Sequence, residues 1–201
     1  MKSKILIIFS ISLITHIAKA QFAEKNWIYG TLGAFVGSHL GASFTADYVY
    51  NNKYSFELGW EQNLRSSRNK PDDYSSGLAN LLLLNLAQPY EKSDVFQLQV
   101  GRVFNLNETK SIRLNVMCGL AFTKIEDAFN FNPVDDAFLT ENYTFEYRKY
   151  NNISLVLSPR IEFATRYYGL SLSPKFIYNK DITYFGLSIN HMIGVLRPKS
   201  E

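Results

Sequence analysis

Apolar and polar residues alternate along most of this chain with a period of two. From Leu40 to Tyr50 one parity carries Leu40, Ala42, Phe44, Ala46, Tyr48 and Tyr50, and the other carries Gly41, Ser43, Thr45, Asp47 and Val49, the pattern of a strand with one apolar and one mostly polar face. Asn51-Asn52 follows, and asparagine tolerates a positive φ better than other non-glycine residues, so the pair predicts a tight hairpin turn. In the returning strand Tyr54, Phe56, Leu58 and Trp60 oppose Ser55, Glu57, Gly59 and Glu61. The same alternation predicts strands near 96–104, 112–122, 154–163, 170–178 and 183–195, and a glycine-weakened first strand near 27–35 brings the number to eight.

The connections separate classes of all-β protein. Those after the second, fourth and sixth strands are short: Asn51-Asn52, 105–110 and Thr165-Arg166. Those after the third and fifth are long, near 64–94 and 123–152. Long loops at one end and short turns at the other are the habit of an outer-membrane barrel, with short periplasmic turns and longer extracellular loops. In such a barrel the apolar parity faces outward and the polar parity inward, the reverse of a soluble barrel. The polar parity favours enclosure, because it is built of Ser43, Thr45, Ser55, Gln97, Gln99 and Asn115 rather than of dense lysine and glutamate. Its charges are Asp47, Glu57, Glu61 and Glu162 against Arg113, Arg160 and Lys175, and an eight-stranded lumen is narrow enough for them to pair across it. The expectation is a plugged barrel. Aromatic residues supply two girdles, Tyr48, Tyr50, Tyr54, Phe104, Phe163 and Tyr168 toward the turns and Trp60, Phe96, Phe122, Tyr178 and Phe185 toward the loops.

Three residues break the alternation. Arg102 shares the apolar parity and is expected to snorkel to headgroups or to be re-aimed by a bulge at Gly101. Pro159 and Pro174 each remove a ladder donor, so bulges or irregular pairing are expected there.

The first twenty residues carry an address. Lys2 and Lys4 precede an apolar run at 5–14 and a small-x-small end, Ala18-Lys19-Ala20, which predicts a cleaved signal peptide at 1–20 and one barrel domain at 21–201. Lys2, Lys4 and Lys19 account for the whole formal charge of +3, so the remaining chain is balanced and a nucleic-acid partner is disfavoured. The single cysteine, Cys118, has no intrachain partner and lies too far from the cleavage site to carry a lipid. A small buried or lipid-facing residue is expected there.

With these features the chain resembles the small eight-stranded outer-membrane barrels of the OmpA/OmpX kind. In the style of Tyr48-Val49-Tyr50-Asn51-Asn52-Lys53-Tyr54-Ser55-Phe56-Glu57-Leu58-Gly59-Trp60 it is similar to the exported barrels of Bacteroidota. The resemblance implies both termini in the periplasm, outer-membrane lipid and lipopolysaccharide as surroundings, and any extracellular ligand held at the long loops. It brings no catalytic motif and no cofactor. Such barrels commonly end on an aromatic residue, whereas this chain ends Val195-Leu196-Arg197-Pro198-Lys199-Ser200-Glu201.

Candidate chemistry is sparse. Some small barrels modify lipid A with a histidine, a serine and a carboxylate near the outer leaflet. Here Ser38-His39 stands at a suitable height, His191 sits on the apolar parity of the last strand, and the ordered His-x-Ser signature is missing. The acidic pairs Asp72-Asp73, Glu126-Asp127 and Asp135-Asp136 fall in the long loops without EF-hand spacing and read as solvated loop charge. An apolar stretch at 78–86 is expected to pack on the barrel rim. The reading is therefore an all-β, eight-stranded, antiparallel up-and-down transmembrane barrel, structural or ligand-binding rather than enzymatic. The competing class is a soluble periplasmic lipocalin-like carrier with the apolar parity turned inward.

Overall fold

The computed structural model describes residues 25–77, 88–134 and 141–197. The signal segment 1–20, the apolar stretch 78–86 and Asp135-Asp136 lie outside them. The described residues form eight strands: β1 (Trp27–Gly37), β2 (Leu40–Tyr50), β3 (Tyr54–Ser66), β4 (Tyr90–Asn105), β5 (Ile112–Pro133), β6 (Tyr143–Ala164), β7 (Tyr168–Tyr178) and β8 (Thr183–Val195). Each pairs antiparallel with the next, and β8 returns to β1 to close the ring. Closure leaves no sheet edge through the body of the barrel. Among the described residues no helix is long and apolar enough to cross a membrane.

The β2–β3 hairpin shows how local sequence sets register. Asn51 and Asn52 both adopt positive φ, 51° and 57°, and the Lys53 amide donates to the Tyr50 carbonyl at 3.1 Å. Both central residues are thus left-handed, as the twist of a tight hairpin requires. The pairing that follows runs without a slip from Tyr50↔Tyr54 to Leu40↔Leu64, which holds one parity outward along both strands.

That outward parity is the apolar one. Leu98 is 62% exposed and Phe56 45%, and Leu172, in the same belt on the far side of the ring, is exposed as well, while Arg113 is 0% exposed and Glu57 and Arg160 are buried within. This is the opposite of a carrier lined with apolar groups. Cys118 faces outward in the same belt. The interior is not polar throughout, however. Trp27, Tyr29, Val49, Val103, Met192 and Leu196 cluster at the turn end, and Val95, Ala121, Ile125, Val156, Ile177 and Tyr184 cluster toward the loop end. The turn end is thus packed with apolar side chains, whereas toward the loop end the apolar cluster stands beside Glu61 and among the buried Asn63, Ser93, Thr123 and Ser154.

The strands on the loop side are taller than the hydrophobic pattern indicates. The segment expected to be loop near 123–152 is strand over much of its length, because β5 pairs with β6 as far as Pro133↔Tyr143, and the one near 64–94 is strand at its two ends, where β3 runs to Ser66 and β4 starts at Tyr90. Above the belt the outward face carries Lys92, Asp94, Lys124, Glu126 and Asn151 before aromatic residues return at Tyr90 and Tyr147, so the alternation that marks a strand lower down is broken. A register shift at Phe129/Asn132 accompanies the positive φ of Asn130.

Pro159 and Pro174 fall in a gap of the β6–β7 ladder between Leu157↔Phe176 and Ile161↔Leu172, with the same register on both sides. The pairing is interrupted without a bulge, and the Ser173 hydroxyl donates to the Pro159 carbonyl at 2.9 Å. Arg102 stays on the outer face near the turn end with no register shift at Gly101, its guanidinium 5.2 Å from the Phe104 ring centroid. Immediately after β8 the backbone turns inward. Beyond β8, Leu196 is buried and its amide donates to the Arg166 carbonyl at 2.9 Å.

Candidate functional site

Two groups of polar side chains stand out, one inside the barrel and one at its outer mouth. The seven inward charges form three tiers. Nearest the turn end, Arg113 and Glu162 sit directly opposite on β5 and β6 and form a salt bridge. Arg113 also donates to the Leu196 carbonyl at 2.5 Å and lies 4.5 Å from the Trp27 ring centroid. In the middle tier Asp47 and Glu57 are cross-strand partners on β2 and β3, a like-charged pair that needs a cation. Arg160 reaches across the lumen from β6 to supply it, at 3.1 Å from Asp47 and in a close salt bridge with Glu57. The remaining acceptor positions are filled as well. Thr31 and Thr45 donate to Asp47 at 2.8 and 2.7 Å, and Gln97 and Gln99 donate to Glu57 at 2.8 and 2.7 Å. In the upper tier Lys175 crosses from β7 to Glu61 on β3 and donates to Gln97 at 2.9 Å. Strands β6 and β2, like β7 and β3, are four apart in the ring, so Arg160 and Lys175 brace its full width.

At the outer mouth the anchor is Glu91. Arg65 donates to it at 2.5 Å, Arg68 approaches to 3.5 Å, and the His39 Nε2 lies 3.2 Å away. The His39 ring is buried against Tyr184 with centroids 4.1 Å apart, and its Nδ1 is 2.9 Å from the Ser38 hydroxyl, which also accepts the Phe185 amide at 3.1 Å. Ser38, His39 and Glu91 thus form a hydrogen-bonded series that ties the β1–β2 turn to β4. Asp127 is held similarly, accepting from the Ser67 hydroxyl and the Asn69 amide group, each at 2.8 Å, with Arg148 at 3.6 Å. Its neighbour Glu126 pairs with Lys149 at 3.3 Å, and Asp73 accepts from the Tyr143 hydroxyl at 2.9 Å. His191 is elsewhere, on the outer face of β8, where Tyr168 meets its Nδ1 at 2.7 Å.

Sequence reasoning did not point to Glu91, Arg65, Arg148 or Tyr150, because these lie in segments expected to be loop. One signal was present: the inward parity continues through Glu91, Ser93 and Val95 and through Thr123, Ile125 and Asp127. Above the belt, burial pushes the His39 pKa below its ordinary value. Burial alone would raise the Glu91 carboxyl, but the hydrogen bonds from His39 and Arg65 outweigh it and hold the group below the usual range. Burial between Tyr90 and Glu126 pushes the Tyr147 phenol up to about 12.

A closed antiparallel meander of eight strands with charges enclosed and apolar residues outside is the outer-membrane barrel fold. The N-terminal β-barrel domain of OprF from Pseudomonas aeruginosa matches it with a TM-score of 0.55 and 9% identity, over 85% of this chain and 98% of that one. Ail, the attachment invasion locus protein of Yersinia pestis, matches with a TM-score of 0.48 and 11% identity, over 85% and 98% respectively. No family model and no curated protein matches the chain. The likeness is one of fold.

Two outcomes follow from this geometry. Arg160→Met leaves Asp47 and Glu57 facing each other without their cation, so it should cost about 3–5 kcal/mol in a urea titration of the folded barrel. Adding Asp47→Asn and Glu57→Gln should restore most of that loss, and a single-mutant cost below about 1 kcal/mol would show that the brace is idle. For the strap at the mouth, both His39 and Glu91 have folded-state pKa values below their ordinary ones. Their stabilisation is then complete at high pH and is lost as pH falls, from 6.5 downward for His39 and from 4.5 downward for Glu91. Hydrogen exchange at the Ser67 amide, bonded to the Pro89 carbonyl at 3.1 Å, should lose protection between pH 7 and 5.5 after correction for intrinsic rates. His39→Gln should flatten that profile, and an unchanged slope would remove His39 from the account.

Proposed function

We propose that residues 1–20 export this chain and that the remainder resides in the outer membrane as a closed, non-catalytic barrel with a structural or binding role through its outer mouth. The observation that carries the reading is the inversion of the sheet. A continuous belt of exposed leucine, isoleucine, valine and aromatic side chains surrounds a charged interior, an arrangement stable where hydrocarbon is the solvent. The long and tall connections share one end and both termini of the barrel lie at the other, consistent with loops outside the cell and termini in the periplasm.

The lumen supports a plug rather than a channel. Its polar middle, between Thr31, Glu57, Gln97, Arg160, Lys175 and Asn190, leaves a void of about 20 Å³, room for about one water molecule. Buried clusters packed inside the ring toward each end support the same reading. The role of Ser38, His39 and Glu91 is mechanical on this reading: the histidine is sealed beneath Tyr184 and the serine is fixed by a backbone amide of β8.

The test uses the full chain expressed with its leader. A membrane-fraction product whose gel mobility shifts on boiling, that gives no steady conductance in a planar bilayer and whose Ser38→Ala variant leaves lipid acyl chains unchanged is expected. A soluble periplasmic product would end the membrane reading, a large steady conductance the plug, and an acyl pattern that depends on Ser38 the non-catalytic assignment.

A further inference from the structure

The two sides of the mouth end at different heights. β6 runs outward to Tyr143, but its pairing with β7 begins only at Leu155↔Tyr178, and the β7–β8 connection at Asn179 to Ile182 is short. The resulting step holds a polar cup of about 570 Å³, walled by the tall hairpin on one side and floored by the short connection on the other. That volume suits a ligand of two or three sugar rings.

Formal charge in the cup is mixed, but its carboxylates and its cations are not equally committed. Glu91 and Asp127 are each held by several protein donors, and Asp181 accepts from Asn152. The cations reach outward with donors to spare. Lys149 is 73% exposed and Arg148 53%, and each meets a single carboxylate at 3.3 and 3.6 Å respectively. Arg68 is half exposed at 3.5 Å from Glu91, and Lys180 has no ion pair among the described residues. Tyr150 supplies an aromatic wall, with the Arg148 guanidinium 5.5 Å from its ring centroid. A ring for stacking beside several under-used N–H donors matches a saccharide that bears sulfate, phosphate or carboxylate groups.

We propose that this cup, formed by Arg68, Arg148, Lys149, Lys180 and Tyr150, binds an anionic saccharide at the cell surface. The inference rests on the outer mouth being a binding surface and specifies its ligand class. Beneath the cup the barrel is filled by buried side chains, Ile125, Ile177 and Tyr184 beside Thr123 and Ser154, so the site is one of capture at the mouth. The anionic sugar is either a free acidic polysaccharide or the phosphorylated sugar of lipopolysaccharide, and both present the same chemistry.

The test is a titration of the full barrel in phospholipid vesicles that lack lipopolysaccharide, with a size-defined dextran sulfate oligosaccharide as probe and neutral dextran as control. Saturable binding of the sulfated probe alone, weakened by salt and at least about tenfold by Arg148→Gln with Lys180→Gln, is expected. Lys53→Gln with Lys110→Gln, at the opposite end, should leave it unchanged. If the soluble probe fails but lipopolysaccharide co-purifies with the wild type and not with the Arg148/Lys180 double variant, the source is lipopolysaccharide and the site stands. Absence of both, or binding indifferent to the double variant, overturns the site. Flotation with the vesicles and the heat-dependent mobility shift are scored on the same samples, so a failure to insert is read separately from a failure to bind.

Discussion

An antiparallel sheet that turns its apolar residues outward has to enclose its charges, and enclosure is tolerable only where each charge meets an opposite one. In this barrel that constraint falls on Arg160. Asp47 and Glu57 face each other across adjacent strands, and the guanidinium that reconciles them arrives from the opposite side of the ring. Lys175 repeats the device one tier higher against Glu61, and Arg113 repeats it locally against Glu162. The Arg113–Glu162 bridge joins adjacent strands and needs only the β5–β6 hairpin, but the contacts of Arg160 and Lys175 cross the lumen and are met only when the ring has closed in register, so they reward the complete barrel. The bridging side chains are almost wholly buried, and the low dielectric around them raises what each contact is worth.

Where the two faces of a strand differ sharply in polarity, the sequence was readable. Leu40 to Tyr50 and its partner from Tyr54 announce their faces residue by residue, and the asparagine pair between them announces the turn. The carboxylates and cations of the lumen could be placed inside by parity alone. Which of them meet across the lumen could not, since Arg160 joins β6 to β2 and β3 and Lys175 joins β7 to β3, and no local spacing encodes a contact across a ring. The tall extensions of β4, β5 and β6 were illegible for a related reason. Above the belt each face mixes the two kinds, Lys92 and Glu126 with Tyr90 and Tyr147 outside and Glu91 and Asp127 with Val95 and Ile125 inside, so a period of two has little to contrast.

The mouth follows from that hidden height. A hairpin that continues past its neighbours leaves a step, the step exposes Arg148, Lys149 and Tyr150, and the short β7–β8 connection brings Lys180 beneath them. The same end of the barrel is tied down by Glu91, which gathers Arg65, Arg68 and His39 from three different segments. Lumen and mouth thus obey one rule at two depths. In the interior every ion is spent on another part of the protein, and at the surface some of the cations are not.

The two tryptophans of the chain offer the most direct test of the inversion. Trp60 points outward in the belt, and Trp27 is 0% exposed beneath Arg113. In bilayers of brominated phospholipid, the fluorescence of Trp27→Phe, which retains Trp60, should be strongly quenched. That of Trp60→Phe, which retains Trp27, should be nearly unaffected. Strong quenching of Trp27 with Trp60 untouched would contradict the account.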